Sequence, residues 1–205
     1  VIVTLEVLLF DYNNLSVEKM YSSVYGSKNI GWPIIILNFI IIIGLLIATM
    51  TINPRNVILK HFVWIVFALS IGTLVYPSYL ISKKENTLIS VILSLIGILV
   101  FFSALAFIKP EWISLSWGPV LLFLLIGVII VLLVNLIVNK GKKRVPKAVS
   151  FFIIGLFILF VLYDTKLIQI HAKYCKEKTV DYINESLGVF LDSLNLFNNL
   201  VNVSY

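Results

Sequence analysis

Six stretches of about 20 residues, nearly unbroken in apolar side chains, alternate with short polar segments along this chain. They run from about Pro33 to Ile52, His61 to Ser82, Thr87 to Ile108, Trp117 to Val138, Ala148 to Ile170 and Tyr182 to Val203. A helix of about 20 residues at ~1.5 Å per residue crosses a ~30 Å hydrocarbon layer, whereas barrel strands are about 10 residues long and alternate in polarity. The pattern therefore predicts an all-α, polytopic membrane helix bundle with six evident spans. Asn53-Pro54, Lys83-Lys84-Glu85-Asn86, Lys109-Pro110 and the basic segment 139–147 separate the spans, because the residue before a proline leaves the α region and charged residues leave the bilayer. Gly72 and Pro77 predict a kink or local break in the second span. Residues 1–32 are expected to be an N-terminal extramembrane segment or the remnant of a first helix, and 33–205 the transmembrane bundle.

Composition agrees. Hydrophobic residues make up 60% of the 205 positions and charged residues only 13%, against about a quarter charged in soluble domains. The formal charge of +6 resides in loops rather than in a groove with interleaved aromatics, which favours lipid headgroups over nucleic acid as the basic residues' partner. Nine of the 16 basic residues fall on one side of the alternating spans and seven on the other; the five-residue cluster within 139–147 favours a cytosolic loop there and a cytosolic C-terminus. The single Cys175 permits no internal disulfide, and His61 and His171 form no metal-ligand set, so neither redox chemistry nor a resident cofactor is expected. His171 reads as a solvated hairpin residue, and Tyr163, Tyr182, Trp32, Trp112 and Trp117 read as interface anchors.

Two carboxylates stand against this apolar background. Asp164 and Asp192 lie in the fifth and sixth spans, where an ionised Asp near mid-helix costs about 2.5–3.5 kcal/mol on insertion scales. In the last span Glu185, Gly188, Asp192, Asn195, Asn199 and Asn202 recur at helical steps and fall on one face, which predicts a polar stripe turned toward the bundle interior or a water-filled path. The competing possibility is a half-buried interfacial helix with a wet Asn face. Asp164 approaches the far end of its span; there it either meets Asp192, or is solvated by headgroup water or paired to Lys166 or His171. Facing carboxylates in a low-dielectric site would share a proton, which makes the pair a pH switch. Carboxylate and amide oxygens also suit a hard cation such as calcium, held transiently by Asp164 and Asp192 with Glu185, Asn195 and Asn199 as pore-lining candidates.

The segments Gly155-Leu156-Phe157-Ile158-Leu159-Phe160-Val161-Leu162-Tyr163-Asp164-Thr165-Lys166 and Asp181-Tyr182-Ile183, then Leu187 through Phe197 with its Leu-Asp-x-x-Asn-Leu-Phe element, resemble the transmembrane Bax inhibitor motif family. Phe67 to Pro77 looks like that family's third helix. The resemblance implies a seven-helix bundle that leaks calcium in a pH-dependent way and restrains cell death, with Asp164 and Asp192 as its aspartate pair and cell-death regulators as partners. It also implies an endoplasmic reticulum or Golgi membrane in a eukaryotic or viral setting, or the plasma membrane in a bacterial one. The family's first helix would be missing or reduced to Val1–Phe10, and the early spans lack the buried Glu and Arg that assist gating in some members. Enzyme activity is not expected. Two alternatives stay open: an intramembrane aspartyl protease, whose second Gly-x-Gly-Asp motif is replaced here by Val189-Phe190-Leu191-Asp192, and a non-conducting regulator that binds partner helices.

Overall fold

The computed structural model describes residues 31–138, 145–174 and 180–205; residues 1–30 of the expected N-terminal segment, most of the basic loop and Cys175 lie outside them, and the last two residues of that segment, Gly31 and Trp32, belong to the first helix. Among the described residues there are six α-helices and no strand: α1 (Gly31–Thr51), α2 (Val57–Lys84), α3 (Leu88–Ile108), α4 (Trp117–Val138), α5 (Lys147–Tyr174) and α6 (Tyr182–Ser204), with a short 3-10 turn at Pro110–Trp112. Four of them, Val57–Lys84, Leu88–Ile108, Trp117–Asn135 and Lys147–Tyr174, are long and apolar enough to cross a membrane, and the described part of α1, Leu37–Thr51, is a shorter apolar helix. The last expected span differs: α6 does not meet that standard, because Glu185, Asp192 and its five asparagines dilute the apolar run. The chain is an integral membrane protein, and α6 is the helix least able to face lipid on all sides.

Local chemistry sets the helix ends. α2 closes through a Schellman turn: Asn86 adopts a left-handed φ of 56°, the Thr87 N–H donates to the Ser82 carbonyl at 2.9 Å, and the Asn86 N–H donates to Lys83 at 3.2 Å. Lys83 and Lys84 in its last turn complement the helix dipole. Of the kink or local break expected at Gly72 and Pro77, the break does not occur. α2 runs through Pro77 as one helix, and the division between two compact units falls there instead, Val1–Pro77 with Thr179–Asn184 in the first and Ser78–Lys178 with Glu185–Tyr205 in the second.

The first unit holds a buried cation. Lys60, 2% exposed, donates to Asp181 Oδ2 at 2.5 Å and to the Ile52 carbonyl, just past the end of α1, at 3.0 Å. Asp181 also caps α6 by accepting the Asn184 N–H at 3.2 Å, and the Asn184 amide donates to the Met50 carbonyl at 3.0 Å. Lys60 and Asn184 thereby donate to carbonyls that the end of α1 leaves without helical partners, while Asp181 holds both donors by accepting from the Lys60 ammonium and the Asn184 N–H.

The second unit is built on α5. Ile153, Leu156, Phe157 and Val161 of α5 form one buried cluster with Val91 of α3, Leu121 and Val128 of α4, and Leu196, Leu200 and Val201 of α6. Beyond the apolar core, Gln169 donates to the Ala106 carbonyl at 3.0 Å and Lys166 to the Pro110 carbonyl at 2.6 Å, so polar side chains of α5 bind the end of α3 and the turn after it. The outward faces of α3 and α4, including Ile89, Leu93, Val100, Phe101, Leu122 and Phe123, are exposed apolar surface of the kind lipid covers.

Candidate functional site

α5 extends to Tyr174, four residues beyond the end that the hydrophobic pattern predicts, and this changes the position of Asp164. Ten residues, about 15 Å of helix, follow Asp164, so it belongs to the helix interior rather than to a frayed end. The partners considered for a solvated Asp164 are engaged elsewhere: Lys166 on Pro110, and His171 on Glu185.

The Asp164 carboxylate rests against the backbone of Gly188 in α6, where a Cβ on residue 188 would overlap it. Asp192 lies one turn further along α6, on the same face as Gly188. The two carboxylates lie within electrostatic reach of each other. Asp192 is 5% exposed, and its Oδ2 has no hydrogen-bond donor among the described residues. No basic side chain among those residues pairs with either carboxylate.

The neighbouring Tyr163 meets a second glycine. Its hydroxyl end abuts the backbone of Gly118 at the start of α4, and the ring packs on the α5 core. Consecutive residues of α5 thus reach glycines on two different helices, which fixes the rotation of α5 about its axis. Thr165, next in sequence, donates to Ser103 of α3 at 3.3 Å.

The other residues of the α6 stripe do not share one environment. Glu185 is half-buried, and both its carboxylate oxygens accept from His171 Nδ1, at 2.8 and 3.0 Å. His171 is therefore a helix-to-helix contact, not a free hairpin residue. Asn195 is exposed and Asn199 half-buried; their amides donate to carbonyls one turn back on α6 itself, those of Leu191 and Asn195. Asn202 donates to the Val145 carbonyl at 3.1 Å and to the buried Ser150 hydroxyl at 2.6 Å. The stripe runs along the edge of the buried face, because Leu187, Leu196 and Leu200 take its centre and leave the exposed amides to bond their own backbone. Asn202→Leu is expected to strand both Val145 and Ser150 and cost about 1–3 kcal/mol, measurable as a lower unfolding midpoint in detergent.

Residue spacing contained a signal for the His171 contact. His171 lies seven residues after Asp164 and Glu185 seven before Asp192, so on two antiparallel helices the pairs 164/192 and 171/185 are rungs of one seam, two turns apart. The stripe places Gly188 on the face of Asp192 but does not announce its contact with Asp164, and no pattern announces the Lys60–Asp181 pair, since both contacts depend on which helices become neighbours.

Comparison with known proteins places this geometry in context. The family model described as inhibitor of apoptosis-promoting Bax1 matches residues 5–203. No curated protein matches the chain, and no solved structure does.

Proposed function

Because the chain belongs to the family of inhibitors of apoptosis-promoting Bax1, we propose that it is a pH-sensitive calcium leak channel gated by Asp164 and Asp192 and acting to suppress cell death. The observation that carries the reading is the Asp164 carboxylate of α5 seated against Gly188 of α6, one turn from the buried Asp192, in an apolar bundle and without a basic partner among the described residues. Such an arrangement is costly in a membrane, and intramembrane carboxylates of this kind mark ion or proton pathways. Carboxylate oxygens hold calcium transiently, and Glu185 stands at the mouth of the same seam; Asn195 and Asn199 flank it and supply amide oxygens once turned inward. Protonation removes the charge that favours a divalent ion, so the preference for calcium over potassium is expected to fall as pH falls. The bilayer and calcium are the partners this chemistry needs, along with cell-death regulators at the membrane surface. The reading needs no resident cofactor and no bond-breaking chemistry.

Purified protein in sealed vesicles loaded with a calcium indicator tests this. Calcium entry above that of empty vesicles, with calcium preference declining on acidification, is the expected result. Absence of calcium entry at every pH would favour a regulator that acts by binding other membrane helices, and cleavage of a transmembrane peptide would favour an intramembrane aspartyl protease.

A further inference from the structure

The α5–α6 seam grades from open to sealed. Its α5 side is spaced in sevens, His171, Asp164, Phe157 and Ser150, which keeps all four on one face. At the first rung the His171 side chain is 55% exposed and Glu185 32%; at the second Asp164 is half-buried and Asp192 5% exposed. At the third Phe157 is 6% exposed and Leu196 fully buried, both in the apolar cluster at the heart of the unit. The fourth rung is polar again, with Asn202 bonded to the fully buried Ser150.

The register supports the same alignment. Antiparallel neighbours across the seam have residue numbers with a nearly constant sum, as the pairs 171/185, 164/188 and 150/202 demonstrate, and Phe157 with Leu196 fits between them. Each seven-residue step is about 10.5 Å of helix. Exposure along the seam thus falls from the end bearing His171 and Glu185 to the Phe157 and Leu196 positions, and one apolar rung lies between the aspartates and the polar contact beyond.

We propose that Phe157 and Leu196 form the apolar seal of the ion path, and that the aspartate pair occupies the floor of a vestibule opening at His171 and Glu185. The inference rests on the leak reading and adds its barrier. An apolar constriction blocks ions by excluding the water they travel with, and a polar side chain at the same place lets water in. Phe157 and Leu196 would then set the basal conductance, while the carboxylates set its dependence on charge.

Calcium flux into vesicles should be compared for the wild type, Phe157→Asn, Leu196→Asn and Phe157→Leu, with exclusion of a trapped dye confirming intact vesicles. The Asn variants are expected to raise flux about tenfold or more by hydrating the constriction, and Phe157→Leu to leave it near the wild-type value. Leu196→Asn carries the test from the opposite helix should Phe157→Asn fail to fold. Unchanged flux in folded Asn variants of a conducting protein overturns the seal and leaves the aspartate reading standing. Flux through the Asn variants of an otherwise silent protein upholds the seal and refutes a constitutive leak, and silence throughout overturns both.

Discussion

Replacing Lys60 with methionine is expected to cost about 3 kcal/mol of stability, the low end of the range for breaking a buried ion pair. The substitution keeps the length and apolar stem of the side chain but leaves Asp181, at 21% side-chain exposure, without its cation and the Ile52 carbonyl without its donor. That residual exposure lets water solvate Asp181 in part, hence the low end. Asp181→Asn in the same chain is expected to recover much of the loss, because it removes the stranded charge and keeps an oxygen to cap α6 at Asn184. Unfolding in detergent of both single variants and the double variant checks this. Equal, additive losses would mean that the contact contributes little.

The second large effect is expected at Gly188, and it separates the position of a carboxylate from its presence. Gly188→Ala puts a methyl group where the Asp164 carboxylate rests. The side chain can swing aside more cheaply than the helices can part, so the stability cost is expected to be modest, about 1–3 kcal/mol. The functional cost should be larger, because Asp164 moves away from Asp192 while both carboxylates remain. Calcium flux of Gly188→Ala is expected to lose its pH dependence as Asp164→Asn does. Gly155→Ala is the control, since nothing lies within 4 Å of a Cβ there. If Gly188→Ala and Gly155→Ala behave alike, the close approach of Asp164 to α6 is immaterial to the leak.

The helices were legible because apolar runs of membrane length leave few alternatives, and the predicted bounds fall within a turn or so of the observed ones. The two clear overruns share a cause. α2 starts at Val57, a turn earlier than its apolar run, because Lys60 is neutralised by Asp181. α5 continues past Ile170 because Lys166, Gln169 and His171 bind the Pro110 and Ala106 carbonyls and Glu185 instead of terminating the helix in water. Polarity alone cannot show that a charged residue has a partner distant in sequence.

The candidate site was legible to the same degree. Asp192 is buried, as a polar stripe turned toward the bundle interior implies. The approach of Asp164 to Gly188 does not follow from the stripe, because it depends on the true length of α5 and on the rotation that Tyr163 and Gly118 impose. Asn195 shows the limit of the stripe argument: helical spacing gives a shared face, but packing decides which edge of that face is buried.

The most direct test of the aspartate pair is calcium flux in vesicles from acidic to alkaline pH for the wild type, Asp164→Asn and Asp192→Asn. The Asn side chains keep the shape of the site and remove its titration. A pH-dependent flux in the wild type, flattened in both variants, is the expected result. Flux and pH profile unchanged in both would contradict it.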